Sequence, residues 1–325
     1  MKPIYIKGMG VISRCAQAPA DLAKIAMEEK AEIKPDKRLE FPPNAPSPKI
    51  RRVSRYARMA ISAAAGAQMD AGGTGEVDKS RVGTIFSTGF GALENSLGFT
   101  GEINIGKPEL SSPTQFTFSV ANSTVGQICI LNGYTGFSVL LTAGDPLEYS
   151  AMLLSAGKAD MVFCGSVEEY HEELDAAIRS CSLVKEGMSE GAAVLALSSG
   201  SEGAYCKVTA FASAPLSACP YVHEVDEGEA KRVFGEVLAT YEKPEIALVC
   251  GNGGTLDKAE EEAIREKFPA AKVLQPKQYF GETLDCGYLS NVALGAAMIK
   301  AGRAGSILAS GIDMHGNYLT AWLEA

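Results

Sequence analysis

The sequence predicts an α/β protein made of two similar layered halves. Three observations carry this expectation. Short apolar runs of strand character alternate with segments of helical periodicity along the whole chain. Those runs are apolar on successive residues, as strands covered by helices on both faces must be. The alternation also begins again after Ser199-Gly200-Ser201, so the halves are expected at 1–200 and 201–325.

In the first half, residues 4–6 read as a strand and 20–27 as a short helix after Pro19. Residues 33–50, rich in Pro and Lys, read as a loop. The Ala-rich stretch 56–71 has helical periodicity and stops at Gly72-Gly73, a good helix terminator. Strand 82–87 leads into the Gly-rich turn Thr88-Gly89-Phe90-Gly91. Strand 137–142, helix 146–156 and strands 161–164 and 192–198 follow. The second half offers strands 207–211, 246–250, 273–275, 306–309 and 318–324, with helices 227–241, 256–268 and 288–301 between them.

Composition narrows the function classes. The chain has 325 residues, 46% hydrophobic, enough for a large buried core. A net charge of −9 argues against a nucleic-acid partner, which demands a basic face. It leaves room for an acidic carrier protein docking on a local basic patch. No apolar run approaches the roughly 20 residues that span a bilayer, and the N-terminus is strand-like rather than a signal peptide. The eight cysteines form no CxxC pair and read as buried thiols of a cytoplasmic protein, not as disulfides or metal ligands. Only His171, His223 and His315 are available for imidazole chemistry. No metal motif, phosphate-binding loop or dinucleotide fingerprint occurs, because the turn after Ser87 lacks the third glycine. No cofactor is expected.

Four stretches, in order and spacing, resemble β-ketoacyl synthases of the thiolase superfamily. The first is Ser112-Pro113-Thr114-Gln115-Phe116 through Asn122, then Gly133-Tyr134-Thr135-Gly136. The second runs from Phe137 to Gly144, then a helix and Gly157-Lys158-Ala159-Asp160, similar to the Thr-Ala-Cys strand, nucleophile helix and Gly-x-Ala-Asp turn. The third is Glu190-Gly191-Ala192-Ala193, similar to Gly-Glu-Gly-Ala. The fourth is Pro276-Lys277-Gln278-Tyr279-Phe280-Gly281-Glu282, similar to Thr-Lys-x-x-x-Gly-His, ahead of Gly295-Ala296-Ala297. The resemblance covers most of 80–310, extends to the N-terminal strand Ile4–Ser13, and implies a thiolase-like duplicated layered fold (α-β-α-β-α). Against that family the chain is short, chiefly between Glu168 and Glu190 and in the second half.

The resemblance also implies a Cys-His-His triad, and this chain departs from it at every position. A ketosynthase needs a thiolate at a helix N-terminus, where the positive end of the dipole lowers its pKa. The matching residue is Gly144, which cannot be acylated. It precedes Asp145-Pro146-Leu147-Glu148, either a relocated acid or base at Asp145 or simply a helix cap; capping explains the whole pattern. The first His falls in Gly251-Asn252-Gly253-Gly254-Thr255, at Gly251. Asn252 there either donates to a carbonyl or, more simply, supports the turn. The second His matches Glu282. An ionised Glu has no proton to donate and would repel a malonyl carboxylate; with a raised pKa it could act as a base. Lys277 stands where the family has its active-site lysine, and a Lys277–Glu282 ion pair is a simple way to fill the pocket.

Among other thiols, Cys250 and Cys164 end buried strands, which leaves Cys286, with His315 as the one imidazole that could serve a relocated dyad. His315 lies in Gly311-Ile312-Asp313-Met314-His315-Gly316-Asn317, a stretch replacing the family's Phe-Gly-Phe-Gly-Gly gating loop. His171, in an acidic run, reads as a surface residue.

The expectation is a synthase-like protein of fatty-acid or polyketide biosynthesis that cannot condense alone, with no catalytic residues of its own. It would act as a chain-length-factor-like partner of an active ketosynthase, although those proteins carry Gln where this chain has Gly144. It would dimerise through strand 138–142, with that synthase or with itself, and meet acyl carrier protein or acyl-CoA. Two alternatives stand beside it: a divergent acyl-thioester enzyme using Glu282, Asp145 or Cys286, and a homodimer that binds acyl thioesters without chemistry.

Overall fold

Ten strands share one sheet whose order reads the same from either end. The computed structural model describes residues 2–28, 30–33, 38–39, 53–106, 109, 112–181, 187–251 and 254–325, except the side chain of Glu102. The first half comprises β1 (Ile4–Ile12), α1 (Pro19–Glu28), α2 (Arg55–Asp70), β2 (Val82–Ser87), α3 (Leu93–Asn104), α4 (Pro113–Ser119), α5 (Ser123–Asn132), β3 (Ser138–Leu141), α6 (Pro146–Ser155), β4 (Met161–Glu168), α7 (Glu172–Ser180) and β5 (Gly191–Ser198). The second comprises β6 (Cys206–Pro215), α8 (Glu227–Leu238), β7 (Ile246–Leu248), α9 (Thr255–Lys267), β8 (Lys272–Leu274), α10 (Lys277–Phe280), α11 (Cys286–Lys300), β9 (Ser306–Ile312) and β10 (Asn317–Glu324).

The strand order is β3-β2-β4-β5-β1-β6-β10-β9-β7-β8. Going inward from either edge, the first two pairings are parallel and the next two antiparallel. The halves meet where β1 pairs antiparallel with β6 over Ile4–Ile6. This duplication is the thiolase-like arrangement expected from the sequence.

Three apolar clusters set the layers. The central one joins β1, β4 and β5 to β6, β7, β9 and β10 through α1, α6 and α11. Helix α11 touches strands of both halves, so it lies between them. Its residues from Tyr288 to Ile299 are all buried, which is why it is apolar around its whole circumference. A second cluster packs α2 and α5 on the outer face of the first half, and a third packs α8 and α9 on that of the second. The result is helix, sheet, helix, sheet, helix.

Strand β1 runs on through Gly8 and Gly10, which lie under α2. A Cβ on Gly8 would strike the backbone of Ala67 and Ala71, and one on Gly10 the backbone of Ala63. Strand β4 likewise runs on to Glu168. Five helices, α3, α4, α5, α7 and α10, go beyond those that periodicity predicts; α4, α7 and α10 are seven, nine and four residues long. Most of the expected loop 33–50 lies outside the described residues.

All eight cysteines are free thiols. Cys164, Cys206, Cys250 and Cys286 are buried, while Cys15, Cys129, Cys181 and Cys219 are only partly so. No helix among the described residues is long and apolar enough to cross a membrane.

Candidate functional site

The site lies where the ends of β3, β4, β7 and β8 and the N-termini of α6 and α11 bring their connecting turns together. Gly144 occupies the turn from β3 into α6. Its φ is +90°, a left-handed conformation that favours glycine, and a Cβ built on it would meet no heavy atom within 4 Å. Asp145 caps α6: its Oδ1 accepts the amides of Leu147 (2.7 Å) and Glu148 (3.1 Å), with Pro146 at the first helical position. Its Oδ2 accepts the Tyr288 hydroxyl at 2.9 Å. Burial raises the Asp145 carboxyl to about 7 against the pull of these bonds.

The turn after β7 begins at Gly251, with the Asp257 carboxylate packed close behind it. A side chain at Gly251 would press on the Asp257 carboxylate, 3.2 Å from the position a Cβ would take. Asn252 lies outside the described residues. The preceding Cys250 points into the core, where its thiol donates to Glu260 Oε2 at 2.9 Å.

After β8, the short helix α10 brings Lys277 and Glu282 together. Lys277 Nζ donates to Glu282 Oε2 at 2.6 Å, and Glu282 is 1% exposed. Glu282 Oε1 accepts the Leu284 amide (2.8 Å) and the Tyr221 hydroxyl (3.3 Å). All this bonding uses Glu282 as an acceptor, with Lys277 as its cation. Arg14 holds the helix in place by donating to the carbonyls of Tyr279 (2.9 Å) and Gln278 (3.2 Å) at its C-terminal end.

A second set of carboxylates closes over Gly144. Asp313 Oδ2 accepts the Gly144 amide at 3.0 Å and Asn317 Nδ2 at 2.7 Å. Its Oδ1 accepts the amides of His315 and Asn317, both at 2.9 Å, which folds 313–317 into a tight turn. Asp285, at the start of α11, accepts the Met314 amide on Oδ1 at 2.7 Å, while its Oδ2 has no hydrogen-bond partner among the described residues. Glu168 accepts the amides of Gly89 and Phe90. Burial, then the nearby Asp313 charge, raises Asp285 to about 7; burial and Asp285 push Glu168 well above the carboxylate range. Glu169, which accepts the Glu94 (2.7 Å) and Tyr56 (3.2 Å) amides, is raised by burial to about 7.

The relocated Cys286–His315 dyad is corrected. Cys286 opens α11 and is fully buried; its thiol donates to Ser166 O at 3.6 Å, and burial pushes it up to about 12. His315 is exposed. A buried, protonated thiol with no imidazole beside it is not a nucleophile. His171 is not a bare surface residue either: its Nδ1 accepts the Glu173 amide at 3.3 Å and caps α7. Sequence reasoning assigned no role to Asp313, Asp285 or Glu168. The Asp-x-x-Gly-Asn pattern of 313–317 was the available signal for the first, as an Asp organising its own turn.

The fold is thiolase-like. Residues 28–162 match the family model described as β-ketoacyl synthase, N-terminal domain. Over that stretch the chain is β-ketoacyl-synthase-like, as its motifs suggested. Among solved structures, the ishigamide ketosynthase/chain length factor aligns with a TM-score of 0.82 at 16% identity, covering 99% of each chain. A β-ketoacyl synthase from Burkholderia phymatum aligns at 0.82 and 15% identity, covering 100% of this chain and 99% of the other. A structure described as a type II polyketide synthase acyl-carrier protein in complex with its ketosynthase, AntDE:AntF, aligns at 0.80 and 16% identity, covering 100% and 99%. No curated protein matches the sequence.

Proposed function

We propose that this protein is a non-condensing, β-ketoacyl-synthase-like subunit that works as the partner of an active ketosynthase in polyketide or fatty-acid assembly. The observation that carries the reading is Gly144. At the helix N-terminus where an acyl group would be tethered there is no side chain, and the one amide at that position is taken by Asp313. Covalent acyl transfer needs an activated nucleophile. Gly251 and Glu282 stand where imidazoles would polarise the thioester, and Lys277 neutralises the second of them.

The likeness to a ketosynthase/chain length factor supports the partner role. So does β3, the edge strand of the sheet. One side of β3 is unpaired and its residues Val139, Leu140 and Leu141 are only half-buried. Helix α5, which packs against it, exposes Ile130. A half-buried apolar edge of this kind offers a surface for a second chain. We place the dimer contact on 138–142 and the join between the halves at 200/201. The acyl chain would be delivered by an acyl carrier protein or acyl-CoA in the cytoplasm.

Co-expression with a triad-bearing ketosynthase tests the proposal. The expected result is co-purification as a heterodimer and a product whose chain length changes when this subunit is exchanged. A protein that never pairs and leaves product length unchanged ends the reading. Turnover of acyl and malonyl thioesters by the isolated chain separates the divergent-enzyme alternative: wild type and Glu282→Gln should be equally inactive.

A further inference from the structure

We infer that the chain closes its own acyl-carbonyl site, with Asp313 and Asp285 occupying the backbone amides of Gly144 and Met314 that a thioester oxygen would otherwise use. The inference rests on the proposed function and adds how that site is regulated.

Acyl-transfer sites hold the carbonyl oxygen by backbone N–H groups, commonly including that of the nucleophile residue itself. Gly144 N–H is that group here. It comes from a half-buried glycine at the opening of α6, beside open space on its Cα. A carbonyl oxygen approaching it competes with a charged carboxylate oxygen already 3.0 Å away. Charged acceptors make the stronger bond. The Met314 amide, one residue from Asp313, is taken by Asp285 Oδ1 at 2.7 Å. The two plugs come from different elements, the 313–317 turn and the start of α11, and cover the amides of Gly144 and Met314. Gly89 wedges the arrangement: a Cβ there would strike the Met314 side chain and lie 3.2 Å from Asp285 Oδ1. The turn is thereby held down on the site.

The bonding of Asp313 makes the plug separable from the fold. Its Oδ1 organises the turn through His315 and Asn317, whereas its Oδ2 takes Gly144 and the side chain of Asn317. In Asp313→Asn the amide oxygen can keep the Oδ1 bonds. The NH2 group then faces Gly144 N–H, donor against donor, and cannot cap it. Asn317 restores its own contact by turning its side-chain amide over.

The test is calorimetric titration with a butyryl-pantetheine analogue carrying an amide in place of the thioester. Asp313→Asn should bind it about tenfold or more tightly than wild type, with the same far-UV spectrum. Equal affinity overturns the inference. Amide hydrogen exchange on the wild-type protein decides independently of the variant. Gly144 and Met314 should be protected, and exchange at the rate of an open loop would overturn the idea. Condensation measured on the same samples separates the two readings. Turnover by wild type would end the proposed function, whereas unchanged binding with no turnover would end only the self-closure.

Discussion

Buried carboxylates sit on two sides of the α11 N-terminus, and the chain stabilises them in two different ways. On the β8 side, Glu282 has a cation, with Lys277 at 2.6 Å and Tyr221 and the Leu284 amide completing its shell. Glu190, farther along, is held likewise by Arg55. Around Gly144 and the 88–91 turn, Asp145, Glu168 and Asp285 have backbone amides or hydroxyls only, and each is shifted upward by burial. The difference teaches which carboxylates the fold pairs with a cation and which it leaves to amides and hydroxyls, with burial raising their pKa. A buried charge is tolerated when a partner compensates it; otherwise the group tends to bind a proton.

The largest effect should come from breaking the paired side. Lys277→Met leaves Glu282 buried without its cation, and urea unfolding at pH 7.5 should show a loss of about 3–5 kcal/mol. A loss below about 1 kcal/mol would mean that the ammonium is not what holds Glu282.

Acid–base behaviour should distinguish the two sides. Asp145, Glu169 and Asp285 sit at about 7 in the folded chain, above their unfolded values. Between roughly pH 4 and 7 the folded state therefore binds more protons, so stability falls as pH rises, by up to about 1.4 kcal/mol per pH unit per group. Unfolding free energies should be higher at pH 5.5 than at pH 8, and Asp285→Asn should flatten that slope. A flat profile in the wild type would remove the contrast.

A smaller effect is expected at the α6 cap. Asp145→Ala removes two amide caps and the Tyr288 partner, for about 1–2 kcal/mol, whereas Asp145→Asn should retain most of the cap. Equal losses in both would mean that charge, not capping, is what Asp145 contributes. Smallest of all, His315→Ala should change stability by no more than about 0.5 kcal/mol. Its side chain is exposed, and the bond that matters is its backbone amide to Asp313. In the native state Cys286 should resist iodoacetamide.

How much could be read beforehand depended on whether local sequence carried the cause. The alternation of apolar runs determined the α/β class and the duplication, because burying both faces of a strand demands continuous apolarity. The Asp145-Pro146 cap was legible because all its partners lie within three residues. The identity of Gly144 determined that no thiol stands there. Tertiary structure alone showed why positions 8 and 10 of β1 are glycines, since the α2 backbone lies across them. It alone decided that Cys286 is sealed while His315 faces outward. It also brought Asp313 onto Gly144, 169 residues earlier in the chain. Contacts between segments so distant in sequence arise from how the layers pack, and no local pattern encodes them.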